Sequence, residues 1–160
     1  MSPNFFFGMK RFWSTVLTLA LVICVTLAGN SLALAAKKQV PLTYTPAQQE
    51  QIQRFLTPVT ALRDRMNELS TLIEKENWTD VRSFIHGPLG ELRRRMNYLS
   101  DRLLPADRKV AKAQAMAVYG HLNELDAAAA AFSYSRSRQH YQDALADFDA
   151  FLETVQKSLN

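Results

Sequence analysis

Three histidines, His86, His121 and His140, are the side chains of this chain best suited to bind a metal ion or to transfer a proton. No two of them are three or four residues apart, the spacing that places two imidazoles on one face of a helix. Glu91 and Glu124 each follow a histidine, but neither forms the Glu-x-x-His motif of di-iron bundles. No serine or cysteine nucleophile accompanies a histidine in a recognisable pattern, and no glycine-rich phosphate loop is present. The sequence therefore predicts no catalytic residue and no metal site.

A histidine and a methionine from different helices could still hold a b-type haem inside a helical bundle. The available methionines are Met66, Met96 and Met116. A methionine on the apolar face of a helix usually fills a core, because its flexible thioether packs well there. We therefore predict no cofactor, and we keep an exported haem- or metal-binding bundle as an alternative function. An exported chaperone-like bundle with a hydrophobic groove is a further alternative.

The segment 78–95 combines a helical spacing of apolar residues with the pair Gly87-Pro88. Glycine and proline are the two residues least compatible with the interior of a helix. We therefore predict a kinked helix that packing or a partner supports from outside. His86 adjoins the kink. It could hydrogen-bond a carbonyl that Pro88 leaves without a donor, contact a partner, or bind a metal.

Arg93, Arg94 and Arg95 form the densest charge cluster of the chain. Three consecutive residues point around most of a helix, so they cannot all face a core. They form either a solvated face with local salt bridges, for example to Glu91, or a docking patch for an acidic protein surface. The partner-binding residues predicted from the kink and this cluster are Trp78, Arg82, His86, Gly87, Pro88, Arg93, Arg94 and Arg95.

Four amphipathic helices are predicted to position these residues. Their apolar residues recur at alternating steps of three and four, the spacing of a narrow buried stripe, and Phe132 ends the stripe of the third helix. Thr45-Pro46 is typical of an N-cap followed by proline in the first turn, and Pro58 should bend the first helix. The predicted helices are approximately Pro46–Glu76, Trp78–Leu103, Ala106–Phe132 and Arg138–Leu159, with a polar turn at Ser133–Ser137.

Helices of this length with short connections favour one fold class. They predict an all-α domain over residues 46–160, arranged as an up-down-up-down four-helix bundle. The apolar stripes supply enough surface for a core without disulfides or metal ions. No strand pattern and no internal repeat competes with this interpretation.

Residues 1–35 are predicted to be a cleaved signal peptide. Two basic residues precede the uncharged stretch 12–36, and the tripeptide at 33–35 matches the small-x-small cleavage rule. An uncleaved transmembrane anchor is the alternative, because 25 uncharged residues could span a bilayer. Residues 36–45 are predicted to be a flexible lead-in to the first helix.

Cys24 is the only cysteine, and it lies inside the apolar stretch. A lipoprotein signal would carry its lipid on such a cysteine, but the residue before it is normally small, and Ile23 is not. We therefore interpret Cys24 as an ordinary residue of the signal peptide rather than a lipidation site. The processed chain then has no disulfide, no c-type haem attachment and no thiolate metal site.

The charge balance argues against one class of partner. The whole chain has a formal net charge of +4, but 17 basic and 15 acidic residues follow residue 36. The processed chain therefore carries a net charge of only +2. Proteins that bind nucleic acid usually show a much stronger basic surface, so no nucleic-acid partner is predicted.

One run of residues resembles a known family. It consists of Trp78-x-x-Val81-x-x-x-Ile85-His86-Gly87-Pro88-Leu89-Gly90-x-Leu92-Arg93, followed by Leu103-Leu104-Pro105 and an alanine-rich third helix. This pattern resembles the PsbQ family of photosystem II, most closely its cyanobacterial form. The resemblance covers about residues 46–159. The run from Ile85 to Gly90 is fairly specific, whereas the helical spacing is not.

The resemblance implies both a fold and a role. It implies a four-helix bundle in the thylakoid lumen, held peripherally at the lumenal side of the thylakoid membrane. The role would be that of an extrinsic, non-enzymatic subunit of photosystem II beside PsbO and the inner antenna protein. There it would stabilise the oxygen-evolving complex and support water oxidation when calcium or chloride is scarce. Cyanobacterial members are usually lipoproteins, so the sequence around Cys24 leaves the mode of membrane attachment open.

Overall fold

Five α-helices make up the part of the protein that the computed structural model describes, residues 43–159, and no strand occurs there. They are α1 (Pro46–Glu74), α2 (Trp78–His86), α3 (Leu92–Ser100), α4 (Pro105–Ala130) and α5 (Tyr134–Lys157). The predicted signal peptide, Cys24 and residues 36–42 of the predicted lead-in lie outside this range. Within it, no helix is both long and apolar enough to cross a membrane.

The start of α1 is stabilised by its own side chains, as the sequence predicted. The Thr45 hydroxyl accepts a hydrogen bond from the backbone N–H of Gln48, and the Gln48 side chain accepts one from the N–H of Thr45. These reciprocal bonds satisfy two donors that a helix otherwise leaves free. Tyr44, the residue before this cap, donates its hydroxyl to the Asp107 carboxylate at 2.6 Å, which holds the start of α1 in place. Pro58 lies inside α1, which continues through it.

The predicted second helix is divided into two. The prediction of a single kinked helix over 78–103 is wrong, because α2 ends at His86 and α3 begins only at Leu92. Gly87 and Pro88 together have a cost of about 4 kcal/mol in a helix interior relative to alanine. That cost exceeds what a few backbone hydrogen bonds could recover, so the chain leaves the helix and turns.

The turn between α2 and α3 keeps its backbone groups bonded. Pro88 has no N–H, so the Phe84 carbonyl accepts from Leu89 instead, at 3.2 Å. The N–H of Gly90 donates to the Gly87 carbonyl at 3.0 Å, which draws the turn tight. A Cβ on Gly90 would lie 2.5 Å from the His86 carbonyl oxygen. The turn therefore requires glycine at position 90, because the backbone leaves no space there for a side chain.

The connection between α4 and α5 is shorter than predicted. The prediction of a polar turn over Ser133–Ser137 is wrong, because α5 begins at Tyr134 with Ser133 as its N-cap. The chain reverses earlier, where Phe132 adopts a left-handed φ of 56°. The N–H of Ser133 donates to the Ala128 carbonyl at 3.0 Å, a bond that closes helix C-termini of this kind. Phe132 was predicted to end an apolar stripe, but it is 72% exposed.

The helices share one hydrophobic core. α1 packs against α2, α3 and α5, and α4 packs against the same three helices. Each helix contributes one apolar stripe, so the spacing of three and four residues is confirmed as the pattern that faces inward. The largest fully buried side chains include Phe148, Phe151, Ile52, Met66, Leu69, Leu92, Met96 and Leu99.

A bidentate ion pair joins α1 to α5. Arg63 Nε donates to Asp149 Oδ1 at 2.6 Å, and Arg63 Nη2 donates to Asp149 Oδ2 at 2.8 Å. These bonds to the ionised carboxylate hold the pKa of Asp149 below its ordinary value of 3.8. The Asp149 side chain is 52% exposed, so water screens much of the attraction.

Replacing Gly90 with alanine should destabilise the protein by about 1–3 kcal/mol, because the new Cβ meets backbone rather than a movable side chain. Chemical denaturation of the purified protein measures this change. Gly120→Ala is the matched control. Gly120 lies within α4 and a Cβ there meets nothing within 4 Å, so this variant should gain about 0.5–1 kcal/mol. Equal effects at the two glycines would contradict the steric explanation.

Asp149→Asn should lower the free energy of unfolding at neutral pH by about 0.2–1 kcal/mol. The folded-state pKa of Asp149 is depressed, so its stabilising effect is complete above the unfolded value of 3.8 and disappears as pH falls through the folded pKa. Denaturation curves at neutral pH and at acid pH measure the difference. Glu153→Gln is the control. Glu153 lies on the same helix and forms its ion pair with Lys157 one turn away rather than with another helix, so this variant should change stability less. A difference between wild type and Asp149→Asn that persists at acid pH would refute this assignment.

Candidate functional site

Two basic side chains of α2 reach one carboxylate on α4. Arg82 Nε donates to Asp126 Oδ1 at 3.1 Å, and His86 Nε2 lies 3.0 Å from the same oxygen. Arg82 and His86 are four residues apart and therefore lie on one face of α2. The Asp126 side chain is only 22% exposed, whereas that of His86 is 65% exposed. This shared carboxylate sets the position of both side chains on the surface.

The sequence-based expectations for His86 are partly wrong. It does not bond the carbonyl that Pro88 leaves free, because Leu89 donates to that carbonyl. The partner contact remains as a prediction. One edge of the imidazole is held by Asp126 while most of the side chain faces water. Such a group can contact a partner without first breaking a buried interaction.

Two clefts open on either side of His86. The first has a volume of about 380 Å³, and its lining includes Trp78 and Phe132. The second has a volume of about 470 Å³, and its lining includes Arg93 and Tyr119. His86 lines both clefts. The α2–α4 surface, defined here as these clefts and the residues that line them, thus combines apolar, aromatic and basic side chains.

Phe132 is the residue of this surface that sequence reasoning misplaced. Its side chain is 72% exposed at the edge of the first cleft, whereas Trp78 beside it is 9% exposed. A left-handed backbone is unfavourable for a bulky residue, and strain of this kind is common at binding sites. The periodic pattern could not place Phe132, because the helix ends two residues before it.

The arginine cluster divides into three environments. Arg93 stacks over the ring of Tyr119, with its guanidinium carbon 4.9 Å from the centroid. The Tyr119 hydroxyl donates to the Arg93 carbonyl at 2.9 Å, and burial raises the pKa of that phenol. Arg94 forms an ion pair with Glu91, as the solvated-face interpretation predicted. Within residues 43–159, no ion pair holds Arg95, which is partly buried.

Gly87 and Pro88 shape the α2–α4 surface rather than contribute recognition groups to it. Gly87 ends α2, and a Cβ there would lie 2.9 Å from the Ser83 carbonyl oxygen. Their position directs α3 away from the line of α2, which leaves His86 and Arg93 beside the same cleft. Of the predicted binding residues, Trp78, Arg82, His86 and Arg93 line the two clefts, whereas Gly87, Pro88, Arg94 and Arg95 do not.

A second group of polar residues lies between α4 and α5. His121 of α4 and His140 and Asp143 of α5 each offer one metal-ligand atom, and these three atoms all lie within 4.8 Å of one another. His121 and His140 lie on two different helices and share no short spacing, so the sequence did not predict that they come together. The signal that could have found it is His140-x-x-Asp143, which places both side chains on one face of α5.

The haem alternative finds no support in the positions of its proposed ligands. Met66 and Met96 are fully buried in the core, and Met116 is 71% exposed. The side chains of His86 and His121 are 65% and 33% exposed.

Comparison with known proteins identifies the family of the chain. Residues 14–156 match the family model of PsbQ, described as oxygen evolving enhancer protein 3. The chain belongs to the PsbQ family. A relative named CyanoQ, from Synechocystis sp., is 42% identical over 142 residues, which cover 88% of this chain and 94% of that protein. The family resemblance predicted from the segment at 78–105 is thereby confirmed.

Membership in the PsbQ family places the chain among the extrinsic subunits of photosystem II. The family is structural rather than known for any catalysis. On the α2–α4 surface, Arg82 and His86 are both paired with Asp126, and the Tyr119 hydroxyl donates to the Arg93 carbonyl.

Phe132→Gly should be more stable than Phe132→Ala by about 1 kcal/mol, because only glycine adopts the left-handed backbone without a steric cost. The two variants remove the same exposed ring, so the comparison isolates the backbone term. Thermal denaturation followed by circular dichroism measures the difference. If alanine and glycine are equally stable at this position, the left-handed conformation carries no strain.

Proposed function

We propose that this protein is a lumenal subunit of photosystem II that stabilises the oxygen-evolving complex. It would bind peripherally beside PsbO and the inner antenna protein and support water oxidation when calcium or chloride is limiting. The observation that carries the proposal is the family match over residues 14–156, which includes both helices of the divided segment. A stabilising subunit needs a docking surface and no reacting groups, and the α2–α4 surface has that character.

We also propose the up-down-up-down arrangement for the helices, with α2 and α3 together taking the place of one bundle helix. The contacts support this arrangement, because they follow chain order around a ring. α1 meets α2 and α3, these meet α4, α4 meets α5, and α5 returns to α1. Short connections between successive helices favour antiparallel neighbours.

The α2–α4 surface is the proposed contact with photosystem II. Its apolar part is the cleft lined by Trp78 and Phe132, and its basic part includes Arg93, which lines the second cleft. Arg94 and Arg95 follow Arg93 along α3 and would extend the contact beyond the clefts. Exposed aromatic and arginine side chains are enriched at protein interfaces. Basic groups at the edge of such a surface mainly accelerate association with an acidic partner and orient it.

Affinity for photosystem II particles that lack this subunit tests the proposal. Arg94→Glu combined with Arg95→Glu should weaken binding about tenfold, which corresponds to about 1.4 kcal/mol, and should reduce the dependence of binding on salt. The expected loss comes from repulsion between the new carboxylates and an acidic partner surface.

The matched control is Arg54→Glu combined with Lys157→Glu. Both residues are exposed, each forms an ion pair with a residue one turn away as Arg94 does, neither lines the two clefts, and the change in net charge is the same. This control should bind like wild type. Equal weakening of the two double variants would show an effect of net charge only. Unchanged binding of Arg94→Glu with Arg95→Glu would refute the arginine contribution, and failure of wild type to bind would refute the function itself.

A further inference from the structure

Positive charge is concentrated in one part of the described structure. Four of the 19 basic residues of the chain precede residue 43, so residues 43–159 carry 15 basic and 15 acidic side chains and no net formal charge. The segment 91–119, which contains α3 and the first half of α4, holds seven of these basic residues and only three of the acidic ones. This segment therefore has a formal charge of +4, and the rest of the described structure has −4. Such an asymmetry attracts an anionic partner to one side of a protein.

The same segment carries most of the exposed apolar side chains. Four large apolar residues are exposed within residues 43–159, and three of them lie in this segment. Tyr98 and Val110 are half exposed, and Met116 is 71% exposed. Isolated exposed apolar residues are common and need no explanation. Here they coincide with the excess of positive charge, and basic and apolar side chains together are typical of surfaces that bind the lipid–water interface.

Lys109, Lys112 and Met116 share the outer side of α4. They follow one another at steps of three and four, so they lie on one face of the helix, and all three are exposed. Lys112 Nζ lies 2.6 Å from Asp101 Oδ1 at the end of α3, whereas no ion pair within the described residues involves Lys109. Lys109, Lys112 and Met116 are together called the outer α4 face below.

The outer α4 face is open rather than concave. None of its residues lines either cleft of the α2–α4 surface. Gly120 lies one turn beyond Met116, and a Cβ there would meet nothing within 4 Å. A rigid protein partner would need a matching pocket to bury a side chain that protrudes in this way. A layer of lipid headgroups can instead deform around it, and the boundary with the acyl chains offers an apolar environment.

We propose that the outer α4 face binds a lipid surface that contains anionic headgroups. Lys109 and Lys112 attract the headgroups, and Met116 inserts its thioether side chain at the boundary with the acyl chains. This contact presupposes the proposed function, because only a subunit that works beside a membrane would meet such a surface. One inserted side chain and two lysines bind weakly and in a salt-dependent way, so the contact orients the bundle on the membrane rather than anchors it.

Sedimentation with lipid vesicles tests the proposal. The protein is exported and processed by its host, and it is mixed at low salt with vesicles of phosphatidylcholine alone or of phosphatidylcholine with phosphatidylglycerol. Wild type should bind the vesicles that contain phosphatidylglycerol at least about tenfold more tightly, and this binding should weaken as salt is added. Equal binding to the two kinds of vesicle, or no binding to either, would overturn the proposal.

Reversal of charge identifies the face that binds. Lys109→Glu combined with Lys112→Glu should weaken binding to the phosphatidylglycerol vesicles at least about tenfold. The matched control is Arg54→Glu combined with Lys157→Glu, which changes the net charge equally at exposed positions outside the segment 91–119 and should weaken binding much less. Equal weakening by the two double variants would show an effect of net charge alone and would refute the assignment to this face.

The apolar contribution is tested at Met116. Met116→Ser should weaken vesicle binding about three- to tenfold, whereas Met116→Leu should bind like wild type, because leucine keeps the apolar volume. The side chain is exposed, so circular dichroism should show an intact helical fold for both variants. Equal binding by the serine and leucine variants would contradict insertion of this side chain.

The vesicles contain no photosystem II, so they separate the lipid contact from the proposed function. Failure of wild type to bind photosystem II particles would refute the function, whereas failure to bind vesicles would refute only the lipid contact. Lys109→Glu with Lys112→Glu could also weaken binding to photosystem II particles but not to vesicles. The partner of the outer α4 face would then be an acidic protein, and the lipid proposal would be wrong.

Discussion

Burial of one apolar stripe from each helix in a common core is the constraint on which the described structure depends. No cysteine lies in residues 43–159, so neither a disulfide nor a thiolate metal site can hold the helices together there. α2 and α3 have nine residues each, and isolated helices of that length are not stable in water. They persist because Val81 and Ile85 on one, and Leu92 and Met96 on the other, are inserted in that core.

The same constraint explains why one proline divides a helix and another does not. Pro58 stands without a neighbouring glycine in a helix of 29 residues, which retains its packing on both sides. Pro88 follows Gly87 and precedes Gly90, and the combined cost of these residues favours a turn over a kink. The turn can form without loss of the stripe because Leu89 remains buried within it. The division therefore redirects the surface while the core stays continuous.

Packing of the stripes also assigns different roles to different sides of α4. One side carries Asp126 and Tyr119 towards α2 and α3, where they hold Arg82, His86 and Arg93 in place. The opposite side carries His121 towards α5. The two sides of α4 therefore hold separate groups of polar side chains that share no residue.

The sequence by itself determined the all-helical fold, the stripe residues, the Thr45 cap and the family, because each depends on local spacing or on a short run of residues. It could not place residues whose environment depends on distant parts of the chain. Phe132 left the core because the helix closed just before it, and His121 met His140 only through the packing of α4 on α5. The extent of the break at Gly87-Pro88 also depends on tertiary structure. The chain can leave the helix completely because Leu89 stays buried within the turn, and that burial is not visible in the local sequence.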